Sequence, residues 1–401
     1  MDILLVISKF LPEYTGAAYR IDKLYQSLGE SFSVSVLCGG IEHKSAATYT
    51  HRVLKVERLH DRSSGEKNRW LRLFYYYWDF LAARHALARR KFDVLHIAGT
   101  SAQTCAALYH ASRHNTPTLL ELVTAGAHPL QPLPLLGKIC RPSLPDRTVL
   151  VAISEPLATR CANYGFKNIC WSRPNPVDEE RFQPQPAMKA ELRQKLFPFG
   201  ETDVVITMIA KFMPQKNQIF LLEVLTRLPG NFKLALGGPV ARSGPLASRD
   251  ASYFENLTSQ IKSRGLENRV FIKQEFIENP QEWMQASDIY ALPNRDEGLA
   301  TPLLEAQACG LRIIANAQED AFHCWVAQNE TGHLLPLDPD LWSGAIKQSL
   351  DIPPAKLQER ADHIRTRCGM ERTTRIYRDI LTYLASQGPN QTLEEVLNAH
   401  S

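Results

Sequence analysis

No run of apolar residues in the chain approaches the ~18–20 needed to cross a bilayer as a helix, so nothing in it reads as a membrane span. Its eight cysteines (Cys38, Cys105, Cys140, Cys161, Cys170, Cys309, Cys324 and Cys368) form no C-x-x-C pair. That spacing argues against a zinc site and against a secreted disulfide framework. It suits reduced, mostly buried thiols in a cytosolic protein. G-x-G-x-x-G and G-x-x-x-x-G-K-[ST] are both absent, which speaks against a dinucleotide oxidoreductase and a P-loop nucleotidase. No repeat of solenoid period occurs. The opening MDILLVISKF carries an acid at once and breaks at Ser8-Lys9. It reads as a first buried strand rather than a signal peptide.

What is present points to an ordinary soluble composition, 44% hydrophobic and 22% charged, over a length that suggests two domains. The net charge of +4 hides an asymmetry. Residues 1–178 hold 22 Lys+Arg against 14 Asp+Glu, leaving 24 against 28 in the remainder. A basic first half suits an anionic surface, such as lipid head groups or a charged glycan. The basic residues are dispersed and no recognition motif accompanies them, so nucleic acid is not expected.

Apolar runs alternate with helical patterns along the whole chain. ILLVIS, VSVLC, DVLHIA (93–98), TLLELV (118–123) and TVLVAIS (148–154) read as strands, with helices holding Ile21, Leu24, Tyr25 and Leu28 and near 101–113 between them. VVITMIA (204–210), FKLALGG (232–238), RVFIKQ (269–274), DIYALP (288–293) and LRIIANA (311–317) repeat the pattern, separated by helical stretches near 217–228, 253–264, 281–286 and 302–309. Strands apolar on both faces with intervening helices imply parallel sheets in an α/β fold. Two doubly wound units follow, and such units take ligands at the carboxyl ends of their strands. The Pro- and charge-rich segment 176–200 is expected to be the linker between a first domain, 1–175, and a second, 201–370, with a tail at 387–401.

Residues 69–91, RWLRLFYYYWDFLAARHALARRK, set Trp70, Leu73, Tyr77, Phe80 and Leu81 at helical spacing with Arg and Lys at both ends. The pattern suits a helix lying in a membrane interface. The commoner case, a helix packed on the sheet with snorkelling basic ends, gives the same pattern.

The stretch DEGLATPLLEAQACG (296–310) places Glu297 in a loop and Glu305 in a helix whose N-cap would be Thr301 and whose first position would be Pro302. Extended to DEGLATPLLEAQACGLRIIAN, it resembles the E-x7-E segment of retaining glycosyltransferases of family 4, which have the GT-B fold. DVVITMIAKFMPQKNQIFLLEVL, with Lys211 and Lys216, is similar to that family's strand–loop–helix carrying a basic residue and then lysine. ISKFLPEYTGAAYR is similar to its Gly-rich loop, with Gly16. VAISEPLATRCANYGFKNICWSRPNPVDEERFQP is similar to the segment preceding its second domain. ASDIYALPN and NETGHLLPLD resemble two further stretches, in the family's order.

The resemblance implies two Rossmann-like domains facing a central cleft and transfer of a sugar, with retention of configuration, from a UDP- or GDP-linked donor to a glycan or lipid-linked glycan acceptor. Glu297 would orient the donor sugar, and Lys211 and Lys216 would stabilise the leaving diphosphate in place of a metal ion. The diphosphate would meet Gly16, Gly298 and the amides of Leu299, Ala300 and Thr301 at the helix start, with Glu305 on the ribose. Neither cofactor nor metal is expected. Asp338-Pro339-Asp340 reads as a turn rather than a metal-binding D-x-D. The C-terminal helix, about 371–386, would return to the first domain. Polysaccharide or lipopolysaccharide synthesis at the inner face of the cell membrane would follow, with the basic first domain touching anionic lipid. The departures are Lys211 for the commonest arginine, Ala17 for a second glycine and Pro176 after Asn175. Val123, Thr124 and Ala125 stand where a histidine is usual, leaving His96 and His128 to compensate, and Asp320-Ala321-Phe322-His323-Cys324 replaces Gly-Gly-x-x-Glu. The alternatives on this fold are a nucleotide-sugar epimerase and a non-catalytic binding partner.

Overall fold

The structure is a computed structural model that describes the chain except residues 14, 41–45, 65, 123–143, 164–167, 242–245, 297, 298, 300, 387–392 and 399–401. It divides into two compact units, one of Met1–Asn175 with Glu371–Ser401 and one of Pro176–Met370.

The first unit runs β1 (Asp2–Lys9), α1 (Gly16–Leu28), β2 (Ser33–Gly39), β3 (Ala47–His51), β4 (Leu54–Arg58), α2 (Arg69–Ala88), β5 (Val94–Ala98), α3 (Ala102–His114), β6 (Thr118–Leu122), β7 (Thr148–Ala152), α4 (Glu155–Asn163) and β8 (Cys170–Ser172). Its sheet has the order β3-β4-β2-β1-β5-β6-β7-β8, parallel apart from the antiparallel β3·β4 edge. Strands β5, β6 and β7 are buried along their whole length, as befits strands covered on both faces. Thr15 caps α1 through the amide of Ala18, and Ser101 and Thr104 form a reciprocal capping box at α3.

The second unit runs α5 (Lys189–Leu196), β9 (Val204–Ile209), α6 (Gln218–Thr226), β10 (Phe232–Gly237), α7 (Ala247–Ser263), β11 (Val270–Lys273), α8 (Pro280–Gln285), β12 (Ile289–Leu292), α9 (Thr301–Ala308), β13 (Arg312–Asn316), α10 (Asp320–His323), β14 (Gly332–Leu335), α11 (Pro339–Ser349) and α12 (Pro354–Cys368). Its sheet is wholly parallel in the order β11-β10-β9-β12-β13-β14. One face is packed by a cluster that includes Ile206, Leu221, Leu236 and Trp342, the other by Leu192, Phe197, Val205 and Trp283.

The segment 176–200 is not a free linker. Its helix α5 buries Leu192, and Phe197 just past its end, on the second sheet, and the buried Arg193 guanidinium donates to Asp288 (2.8 Å) and to the Asp203 carbonyl (2.7 Å). Proline and charge signal irregular backbone, and here that backbone still carries an amphipathic helix with a core to bury in. Helix α13 (Met370–Ala385) belongs to the first unit's core through Ile376, Tyr377, Ile380, Leu381 and Leu384. The expected tail holds a further short helix, α14 (Leu393–Asn398), with Leu397 against that same core.

Candidate functional site

In the second sheet β9 lies between β10 and β12. The chain lays down β9, β10 and β11 outward on one side and resumes at β12 on the other. The loops leaving β9 and β12 therefore part at a topological switch point, where a doubly wound sheet opens a crevice at its carboxyl edge. The first loop carries Lys211 and Lys216 and the second leads to the start of α9.

These two loops are tied to each other and to the sheet by amides. The Arg295 amide donates to the Gln215 carbonyl (2.9 Å). Asn217, in the left-handed region at φ 54°, donates through Nδ2 to the Pro293 carbonyl (3.3 Å). Gln218 Nε2 donates to the Lys211 carbonyl (2.9 Å), and Tyr253 Oη donates to Gln218 Oε1 (3.0 Å). Asp296, at φ 59°, donates its amide to Glu319 Oε1 (2.8 Å). Asn316 Nδ2 donates to the Asn294 carbonyl (2.9 Å). Gly238, after β10, lies against the same bend. A Cβ there would stand 2.0 Å from the Ala210 carbonyl oxygen, and its φ is +150°, so only glycine fits.

Within this frame Lys211 is exposed and Lys216 half-buried. Thr301 is the first residue of α9, one position inside the expected cap, a shift typical of helix ends. Leu299 is buried. Glu305 is half-buried in the second turn of α9, on the same helix face as Thr301. Burial first, and then the charge of Glu305, push the thiol of Cys309 well up, so that cysteine is inert at neutral pH. The side-chain carbonyl of Gln215 is buried without a partner among the described residues, an open acceptor beside the two lysines. Glu297, Gly298 and Ala300 lie outside the described residues.

Gly16 opens α1 in the other unit, after β1, which lies between β2 and β5 at that sheet's own switch point. A Cβ at Gly16 would meet nothing within 4 Å, so local packing does not demand glycine there. His96 is fully buried, with Nδ1 2.6 Å from Tyr25 Oη and Nε2 3.3 Å from Glu121. It is part of the interior and has no access to a substrate. His128 lies outside the described residues. Asp338 caps α11 through the amides of Asp340 (2.9 Å) and Leu341 (3.0 Å), while Asp340 pairs with Arg227 (2.7 Å). The D-x-D is thus the start of a helix. Among the described residues no three His, Cys, Asp or Glu side chains group as a metal site would, and no helix is long and apolar enough to cross a membrane.

The residues that motif reading missed are the positioning side-chain amides of Asn217, Gln218 and Asn316, with the Asn294 carbonyl and Glu319. Only Asn217 leaves a local trace, an asparagine at a bend that needs a positive φ.

Residues 189–365 match the family of glycosyl transferases group 1. Among curated proteins, the D-inositol 3-phosphate glycosyltransferase of Mycolicibacterium vanbaalenii is 29% identical over 40% of this chain and 37% of its own. The UDP-Gal:alpha-D-GlcNAc-diphosphoundecaprenol alpha-1,3-galactosyltransferase of Escherichia coli is 27% identical over 44% of each chain. The chain thus spans less than half the length of these relatives. Among solved structures, sucrose-phosphate synthase from Thermosynechococcus elongatus superposes over 96% of this chain and 100% of its own, with a TM-score of 0.72 at 15% identity. Anabaena HepE in complex with UDP and glucose gives 0.72 over 95% of this chain and 99% of its own, at 17% identity. The fold is GT-B, and these proteins lend no support to the epimerase alternative.

Proposed function

We propose, from the membership of residues 189–365 in the group 1 glycosyl transferases, that the chain is a hexosyltransferase. It moves a sugar from a nucleotide-sugar to a glycan or lipid-linked glycan with retention of configuration. The observation that carries this reading is the joining of the β9 and β12 loops at the switch point of the second sheet. Two lysines and the start of a helix stand on adjoining loops, stitched together by the Arg295–Gln215 backbone bond.

The chemistry follows from charge. Cleaving the sugar–phosphate bond builds negative charge on the departing diphosphate. The amides of the first turn of α9 and the ammonium groups of Lys211 and Lys216 meet that charge as it forms. They supply the stabilisation that a metal ion supplies in other transferases. A carboxylate would be repelled by phosphate, so Glu305 serves the ribose hydroxyls and Glu297 the hydroxyls of the donor sugar, two acceptor oxygens to a vicinal diol. Gly298, Leu299, Ala300 and Thr301 line the diphosphate, and Gly16 belongs to the first unit, to which we assign the acceptor. UDP is the first nucleotide to try: the E. coli relative is named for UDP-Gal and the Anabaena neighbour holds UDP. GDP comes second, since a related mannosyltransferase of Mycolicibacterium smegmatis is named for GDP-mannose. The cytoplasmic face of a membrane is the setting that suits a lipid-linked acceptor.

Thermal-shift screening against UDP- and GDP-sugars identifies the donor, because a ligand of the native state raises the apparent midpoint. With that donor, Lys216→Ala should lower kcat about 10²–10³-fold with an unchanged circular dichroism spectrum. A folded Lys216→Ala protein at full turnover would overturn the assignment.

A further inference from the structure

We propose that the outward face of α2 is a membrane-docking surface that lies in the interface of an anionic bilayer. The inference stands on α2 alone and is independent of the sugar-transfer reading.

Helix α2 has two apolar faces. Asp79, Phe80, Ala83 and Leu87 are its buried residues. At 100° per residue they centre on one side of the helix, and Trp70, Leu71, Phe74, Tyr77, Trp78 and Leu81 fall within an arc of about 120° on the opposite side. That second set is exposed: Trp70 77%, Phe74 57% and Trp78 53%. The stripe runs about 17 Å along the axis at 1.5 Å per residue. A soluble surface rarely carries so many large apolar side chains side by side.

Charge selects the occupant. Exposed Lys67, Arg69 and Arg72 stand at the N-terminal end of the helix, and Arg84, Arg89 and Lys91 at the other. The single acid of α2, Asp79, is fully buried and accepts from the Ser63 amide (2.9 Å). Along α2 itself the outward face thus offers aromatic and aliphatic side chains and no carboxylate, while the cations gather at the two ends of the helix, where they outnumber the flanking acids Glu66 and Asp93. A second copy of the chain would set these cations against their own kind. An anionic lipid surface satisfies both features, since tryptophan and tyrosine settle at head-group depth and arginine and lysine meet the phosphates.

The test uses the full chain and vesicles of phosphatidylcholine with 30 mol% phosphatidylglycerol. We expect co-sedimentation at low salt that weakens about tenfold or more with phosphatidylcholine alone, as electrostatic attraction to anionic lipid requires. Brominated lipid should quench part of the tryptophan emission. Trp70→Glu/Phe74→Glu should lose binding at least tenfold with its thermal midpoint unchanged, because both side chains are exposed. Arg69→Ser/Arg72→Ser gives a second reading that leaves the apolar stripe intact, and should weaken binding to the anionic vesicles only. Wild-type protein that ignores both vesicles overturns the proposal. So does a concentration-dependent dimer that Trp70→Glu/Phe74→Glu abolishes, which would make the stripe an interface between copies. Loss of vesicle binding with retained sugar transfer in solution would leave the transferase reading untouched.

Discussion

Glu121 on β6 gathers more charge than any single group in the first unit should need. Its carboxylate accepts from Arg20 on α1, from Arg173 Nη2 (3.3 Å) and from Tyr377 Oη on α13. Arg20 also donates to Asn175 Oδ1 (2.7 Å). The chain leaves the first unit after Asn175 and returns at Glu371, so this one carboxylate anchors both ends of the excursion. Its side chain is 0% exposed, that of Arg20 11% and that of Arg173 2%. Glu121→Ala would strand the buried guanidinium of Arg173 and the largely covered one of Arg20, and removing one partner of such a group costs about 3–5 kcal/mol. For a unit of this size, roughly 2–4 °C per kcal/mol gives a fall of about 6–20 °C in the first unit's midpoint by calorimetry. Hydrogen exchange across α13 should speed up with it. The stronger check is the combined variant Arg20→Met/Glu121→Leu/Arg173→Met. With no charge left to strand, it should be more stable than Glu121→Ala alone.

Protonation supplies a second axis. Burial by itself would raise Glu121, but Arg20 and then Arg173 outweigh it and hold the carboxyl well below the usual range. A depressed folded-state value stabilises the fold above the unfolded pKa of about 4.3 and loses that contribution as pH falls through the folded value. The stability gap between wild type and Glu121→Gln should therefore be constant from pH 7 to about 5 and narrow below it. A Glu121→Ala midpoint within about 1 °C of wild type, or a gap that widens in acid, would refute the reasoning.

Two further outcomes bear on the second unit. Glu305→Ala should raise the nucleotide-sugar KM and weaken nucleotide binding about tenfold, roughly the 1.5 kcal/mol of a hydrogen bond to a charged group, measurable by calorimetry, with α9 intact. Gly238→Ala should cost about 2–3 kcal/mol in urea unfolding, because its Cβ would stand 2.0 Å from the Ala210 oxygen at a φ of +150°, and the displaced β9 loop should lower turnover as well.

The central strands were legible because they are apolar on both faces. β1, β2, β5, β6 and β7, and β9, β10, β12 and β13, fall where runs such as DVLHIA and FKLALGG place them, and the edge strand β11 is legible too because its run VFIK is mostly apolar. The strands that escaped notice lie at or next to sheet edges: β3 and β4 (ATYTH and LKVER, half exposed), the three-residue β8 and the four-residue β14. An edge strand keeps one side in water, so its residues carry too little hydrophobic signal to separate it from a loop. At the site, charge-bearing residues were legible and the amides that aim them were not. A lysine or glutamate announces its chemistry by type. Asn217 or Gln218 acquires a role only when folding brings the Pro293 or Lys211 carbonyl within reach of its amide nitrogen.

Helix α2 shows where periodicity stops informing. A 3.6-residue repeat says which side chains share a face, and in residues 69–91 it returns apolar residues on two faces at once. Phe80 and Ala83 turn to the core while Trp70, Phe74 and Trp78 turn to the outside. The pattern predicts the same helix whether its second face is covered by protein, by lipid or by nothing. What separates those cases is the neighbourhood of the side chains, and that depends on α3 packing against one side only. Among the described residues the fold leaves the second face exposed, and the cations at the helix ends, with the one acid of α2 turned inward, suit it electrostatically to an anionic plane.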